Sequence, residues 1–212
     1  MPPGLIRPGN CVGLWRFDGN ALDSTGNVVA AATLYGDAAY ATGRFGQGLS
    51  TTPGGSGYAR VTGTQFPSKA ATWGCWAKSN AIVGALQRCL SYGNNGLFVS
   101  VDTSSNVPQV NALIGGTLRP LLGTYQLKAN KWYWLVGTYG AGDFRFYIDG
   151  TLDAQTTAYS GNLTYTSSNI FFNTNPLFTA YMNGITDEIF VCNDTWASER
   201  IKKYYNSLKG VF

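Results

Sequence analysis

Residues 131–154 read KWYWLVGTYGAGDFRFYIDGTLDA: two aromatic-rich runs, 132–139 and 144–149, the second ended by Asp149-Gly150. Seven aromatic side chains lie between Trp132 and Tyr147. Side chains alternate across an extended strand, so Trp132, Trp134, Val136 and Thr138 share one face, and Tyr133, Leu135, Gly137 and Tyr139 the other. Both faces are apolar, which predicts a central strand covered on both sides. Asp-Gly tolerates positive φ at both centres of a type I′ turn, the connection that suits right-twisted antiparallel strands. The aromatics then serve either as sandwich core or as a surface on which sugar rings stack.

Outward from this stretch the same signal repeats. The segments 11–17 (CVGLWRF), 71–78 (ATWGCWAK), 88–93 (RCLSYG), 97–102 (LFVSVD), 169–173 (NIFFN) and 185–192 (ITDEIFVC) are short apolar or aromatic runs bounded by turn residues. Asn95-Gly96 and Asn183-Gly184 read as two further type I′ turns. Only the end changes period. After Asp194-Thr195, the residues Trp196, Ile201, Tyr204, Tyr205 and Leu208 recur at helical spacing, and Gly210 supplies a stop. The expectation is an all-β antiparallel protein with one short C-terminal helix.

At 212 residues the chain suits one domain able to bury a core without metals or disulfides. Hydrophobic residues make up 44% and charged residues only 12%, with 27 Gly, 13 Tyr and 11 Phe, the profile of a β-rich, extracellular-facing protein. The net charge of +4 is scattered from Arg7 to Lys209. Its one dense group, Arg200, Lys202, Lys203 and Lys209, reads as a solvated helix face, so no nucleic-acid partner is expected. No run of about eighteen apolar residues occurs, and no membrane span is expected. MPPGLIRPGN carries no apolar run of signal-peptide length, so the composition implies either a piece of a larger secreted protein or release by another route, such as a virus particle freed by lysis. Residues 1–10 are read as a Pro-rich arm, and 11–212 as a single domain. The chain has no histidine and no C-x-x-C pair, which excludes His-based triads and zinc sites.

The succession VGLWRFDGNALDSTGN, GRFGQGL, ATWGCWAKSN, NKWYWLVGTYGAGDFRFYIDGTLDA and YMNGITDEIFVCNDTWASERIKKYYNSL resembles the laminin G-like branch of the concanavalin A-like lectin and glucanase superfamily, from about residue 12 to 208. The resemblance implies a jelly-roll sandwich of two antiparallel sheets whose first strand lies beside the last. Members bind glycans or proteins, and some branches cleave polysaccharides. The glucanase branch uses an E-x-D-x-x-E strand that sets two carboxylates about 5 Å apart. Here the only glutamates, Glu188 and Glu199, stand outside such a motif, and an extended strand points Asp187 and Glu188 to opposite faces. No enzyme is expected.

Relatives of this kind often hold calcium through oxygen ligands. The resemblance places Asp18, Asp23 and Asn27, after the first strand, near Asp187 on the last, so these four are the candidate calcium ligands, with turn-forming roles as the alternative. For glycan binding, Trp76 with Tyr58, Arg60 and Arg145 forms the candidate patch; Trp76 equally suits a packing position. The implied strand order also brings Cys11 beside Cys192, while Cys75 and Cys89 are expected on neighbouring strands, which makes both pairs disulfide candidates. Two functions follow: a non-catalytic lectin-like protein displayed on a phage-type virion, with capsid proteins or glycans as partners, or a secreted carbohydrate-binding module of a polysaccharide-degrading system. Assembly into a homo-oligomer is compatible with either.

Overall fold

The alternation expected for 132–139 is met by a strand with buried side chains on both faces, and the rest of the fold is arranged around it. The computed structural model describes residues 10–52, 56–63 and 66–209. Fifteen strands, β1 to β15 in chain order, form two antiparallel sheets among these residues. The eight-stranded sheet runs β13 (Thr151–Thr156), β12 (Asp143–Ile148), β11 (Tyr133–Gly140), β6 (Ala70–Ser79), β15 (Gly184–Cys192), β4 (Gln47–Thr51) and β3 (Ala39–Thr42), and β1 (Cys11–Trp15) also pairs with β15. The seven-stranded sheet runs β10 (Thr117–Leu122), β9 (Gln109–Ile114), β8 (Leu97–Asp102), β7 (Gln87–Tyr92), β14 (Asn169–Phe172), β5 (Tyr58–Thr62) and β2 (Thr33–Tyr35). One helix, α1 (Ser198–Lys209), closes the described chain. The arm 1–9 and the expected stop at Gly210 lie outside the described residues.

Two apolar layers hold the sandwich. Between the sheets, Tyr133, Leu135 and Tyr139 of β11 pack with Trp15, Trp73, Phe144, Phe146, Phe172 and Tyr92. The indole of Trp73 donates to the Phe98 carbonyl at 3.1 Å, so its polar atom is satisfied inside this layer. On the outer face of the eight-stranded sheet, Trp134, Val136, Trp76, Phe190 and Leu14 are covered by Trp196, Ile201 and Leu208. The aromatic density of 131–154 is therefore core on both sides. Each such side chain stabilises the fold by about 1.5–3 kcal/mol through removal of apolar area from water.

The first and last strands are neighbours, as the resemblance implied. β15 carries β4 along Gly184–Thr186 and β1 along Ile189–Cys192, with a register shift between Asp187 and Phe190 on its β6 side. Glu188 sits in that irregularity at φ 46°, so the strand is not extended there and the expected split of Asp187 and Glu188 between opposite faces does not hold. Cys11 and Cys192 are paired in register and joined by a disulfide. Cys75 and Cys89 remain free; they sit on β6 and β7, which belong to different sheets, so their thiols meet across the core instead of along paired strands.

Of the three expected turns, Asp149-Gly150 has both residues at positive φ, 52° and 76°, and joins β12 to β13. The β7–β8 turn instead places Asn94 and Asn95 at positive φ, one residue earlier than expected. Asn183-Gly184 is not a hairpin: it enters β15 from the other sheet, and a side chain at Gly184 would strike the Lys78 carbonyl of β6.

Candidate functional site

Among the described residues no helix lies over the outer face of the seven-stranded sheet. In β5, Ala59 and Val61 enter the core while Tyr58, Arg60 and Thr62 point away; in β14, Ile170 and Phe172 enter the core and Phe171 points away. Strand register lines up one outward row across the whole sheet: Thr33, Arg60, Phe171, Ser91, Phe98, Asn111 and Pro120. In the adjoining row, Arg88 faces Ser100.

Aromatic rings rim this face near β2 and β5. Tyr35 and Tyr58 stack at 4.7 Å and 11°, and Phe178 lies 5.0 Å from Tyr58 and 5.8 Å from Phe171. Phe178 is 40% exposed at φ 56°, a costly backbone state for a bulky residue, and Leu177 beside it is 74% exposed. Arg60 lies over the Tyr35 ring and donates to its hydroxyl at 3.2 Å. Next to them is a cleft of about 200 Å³ lined by Ala30, Thr33, Tyr35, Arg60 and Thr62. The Tyr35 ring, a guanidinium and two threonines thus line one concavity, with the Tyr58 ring stacked beside it, the combination that holds a polar ring with a hydrophobic face. Further in, the Arg88 guanidinium lies 3.5 Å from the Phe98 ring centroid; burial pushes it down to about 9, still protonated at neutral pH.

Tyr58 and Arg60 are thus brought together, while the other two candidate glycan contacts are not. Trp76 is on the opposite sheet, 3% exposed, with the rings of Tyr205 at 5.9 Å and Trp134 at 6.4 Å and the Arg44 guanidinium at 4.8 Å. It is a packing residue beneath α1. Arg145 is also on that sheet, ion-paired with Asp143 at 2.6 Å and bonded to Ser198 at 3.2 Å, where it ties β12 to the start of α1. Tyr35, Phe171 and Phe178 were not anticipated. The one sequence signal for them was an apolar pair, Leu177-Phe178, inside a stretch with turn-like neighbours.

The four expected calcium ligands do not assemble a cage. Asp23 accepts from the backbone N–H groups of Leu14 (2.7 Å), Thr25 (3.0 Å) and Val28 (2.9 Å), which shapes the loop after β1. Asp18 accepts from Gln47 N–H at 2.7 Å, and Asp187 from Phe45 N–H at 2.8 Å and Glu188 N–H at 2.7 Å. Asn27 turns its amide N–H₂ toward the Cys11 carbonyl at 3.0 Å. The aspartate oxygens accept from backbone N–H groups, and no three acidic or thiol side chains converge on a metal position among the described residues. These residues do not fit a bound cation.

Asp187 is fully buried and Glu188 2% exposed, with Arg16 at 3.2 Å from Glu188. Burial pushes the Asp187 carboxyl up to about 7; burial and the neighbouring Asp187 push Glu188 to about 8.

The two-sheet topology, the β1–β15 pairing and the covering helix agree with a family-level match: residues 53–202 fit a laminin G-like model described as the concanavalin A-like lectin/glucanases superfamily. The chain belongs to this superfamily. Comparison with curated proteins finds no match. Among solved structures, this laminin G-like domain is similar to domain 4 of AbnA, a GH43 extracellular arabinanase from Geobacillus stearothermophilus, solved in complex with arabinotriose (TM-score 0.69, 15% identity, covering 92% of this chain and 98% of that one). It is also similar to the binding domain of Botulinum Neurotoxin DC in complex with SialylT (0.68, 16%, 94% and 52%). A third similar structure is the binding domain of Paraclostridial Mosquitocidal Protein 1 (0.73, 14%, 95% and 53%). The domain spans about half of each toxin binding domain. At these identities the likeness is one of fold.

No helix among the described residues is long and apolar enough to cross a membrane.

Proposed function

We propose that this laminin G-like domain is a non-catalytic glycan-binding protein whose ligand lies on the outer face of the seven-stranded sheet, against Tyr35, Tyr58, Arg60 and Phe178. The observation that carries the reading is the stacked Tyr35–Tyr58 pair beside a cleft lined by Arg60, Thr33 and Thr62. A sugar presents C–H groups on one side and hydroxyls at its edge, and these residues offer a partner for each. Neighbours solved with arabinotriose and with SialylT support the class of ligand.

A hydrolytic reading finds no support at Glu188. A general acid must reach the scissile oxygen, and this carboxyl lies buried against Arg16 near Tyr204 of α1. The Cys11–Cys192 disulfide favours an oxidising setting. Extracellular export and display on a phage-type virion with capsid proteins as partners both meet that condition, and co-sedimentation with particles separates them.

The test of binding is a glycan array probed with the wild type and with Tyr58→Ala, with and without a chelator. The reading predicts a restricted set of bound glycans, lost in Tyr58→Ala and unaffected by chelation, because the expected calcium ligands do not converge. Complete silence of the wild type overturns it.

A further inference from the structure

Two sheet edges meet on one flank of the sandwich, where β10 ends the seven-stranded sheet and β13 the eight-stranded one. The chain that follows β10 is clasped to β13: Asp153 accepts from the Thr124 N–H at 2.7 Å and from its hydroxyl at 2.8 Å. Of the nine large apolar side chains exposed among the described residues, four lie on this flank: Leu118, Leu122, Tyr125 and Leu152, each between 41% and 45% exposed. Leu118 and Leu122 share the outward side of β10 with the exposed Pro120, while Leu121 turns into the core. Single exposed apolar residues are ordinary, but a group gathered on one surface marks a contact.

Beside these projecting side chains lies a hole. Tyr125, Tyr133, Ile148 and Leu152 line a cleft of about 240 Å³ between the Tyr125 loop and the β12–β13 hairpin. Sites that enclose a whole small molecule run to roughly 300–1,000 Å³, so this one suits a single side chain. Its lining carries both signs of charge. The Lys131 ammonium rests 4.9 Å from the Tyr133 ring centroid and joins none of the three ion pairs among the described residues. Asp153 lines the same cleft, and its carboxylate has lone pairs beyond the two that Thr124 engages. A surface with projecting apolar groups, a hole for one side chain, a cation outside any ion pair and an acid is complementary to a second copy of itself. That is the condition for a twofold contact.

We propose that this flank is the interface of a homodimer, in which the apolar row of each copy seats against the cleft of the other and Lys131 of each faces an acid across the twofold. Pro120 has no N–H to give, which blunts β10 as a template for another strand, so side chains make the contact in place of a sheet continued from copy to copy. β10 and β2 are opposite edges of the seven-stranded sheet. The dimer therefore leaves both aromatic rims uncovered.

Sedimentation velocity of the intact chain from about 1 to about 200 µM tests the proposal, because interfaces at the small end of the size range dissociate at roughly micromolar to tens of micromolar concentrations. Wild type is expected to pass from monomer to dimer across that range. Leu152→Asp and Leu122→Asp, each setting a charge into the apolar flank, should weaken the dimer about tenfold or more. Lys131→Glu should weaken it by about threefold or more, since it places like charges opposite one another. All three alter exposed side chains, so their thermal transitions should stay near that of wild type. Leu177→Asp, on the aromatic rim, should dimerise as wild type does. A wild type that remains monomeric throughout overturns the proposal, and so does one that grows into larger open assemblies, because a twofold contact closes at two. A dimer that survives in folded Leu152→Asp and Leu122→Asp also overturns it. So does a dimer that Leu177→Asp alone disrupts, which would put the contact on the rim.

Discussion

Trp76 and Tyr58 are both outward-facing aromatics, yet one is 3% exposed beneath Tyr205 and the other is half-buried between Phe178 and Tyr35, which lines a cleft. Their substitutions should separate cleanly. Trp76→Ala removes an indole from a packed cluster and should destabilise the protein by roughly 3–5 kcal/mol in denaturant unfolding. Tyr58→Ala should cost much less stability and lower glycan affinity roughly tenfold or more, as stacking aromatics do at binding sites. A second residue-scale prediction concerns Asp187 and Glu188. Their folded carboxyls are raised to about 7 and about 8, above the ordinary values of unfolded chains. Between those limits the native state holds more protons than the unfolded state, so stability is fully present below about pH 4 and is lost as pH rises through 7 to 8. The contribution of this pair should make the thermal midpoint higher at pH 5.5 than at pH 9, and Glu188→Gln should flatten that slope. A Glu188→Gln protein with an unchanged pH slope would remove Glu188 from the account.

The disulfide acts at the scale of elements, fastening β1 to β15 across a sequence separation of 181 residues. Closing so long a loop in the unfolded chain points to a stabilisation on the order of 5 kcal/mol, so the paired Cys11→Ser, Cys192→Ser variant should unfold at clearly lower denaturant. An unchanged midpoint would contradict the register assigned to these strands. Elements differ in how legible they were. β6, β8, β11 and β15 are buried along most of their length, and their apolar runs announce them. β2, β3, β10 and β13 lie at sheet edges with largely exposed or half-buried residues such as TLY and TLDAQT, where no buried face imposes a period. Asp149-Gly150 was readable as a turn because pairing on both sides is local. Asn183-Gly184 was not, because the segment before it crosses between sheets. The same crossing explains Cys75 and Cys89: sequence proximity suggested paired strands, but consecutive β6 and β7 take opposite sheets.

At the scale of the whole molecule, α1 covers the outer face of the eight-stranded sheet, while among the described residues no helix covers that of the seven-stranded sheet, whose exposed rings lie at its β2–β5 rim. Tyr58 and Arg60 were grouped from sequence as candidate contacts and do sit side by side, but their neighbours Tyr35, Phe171 and Phe178 come from three separate segments united only by sheet order. The placing of Trp76 and Arg145 with them failed for the same reason: residue patterns along a strand do not tell which sheet it joins. The Asp18, Asp23 and Asp187 oxygens, read as candidate metal ligands, instead accept from loop N–H groups, and Asn27 donates its amide to the Cys11 carbonyl, a use that only coordinates reveal. The central claim is that a glycan occupies the aromatic rim of the seven-stranded sheet's outer face. Amide chemical-shift mapping during titration with an oligosaccharide that the protein binds tests it most directly. The account predicts perturbations concentrated at residues 33–35, 58–62, 169–171 and 177–179, with little change along α1. Perturbations centred instead on the side cleft of Tyr125, Lys131 and Leu152, or beneath α1 around Trp76, would contradict it.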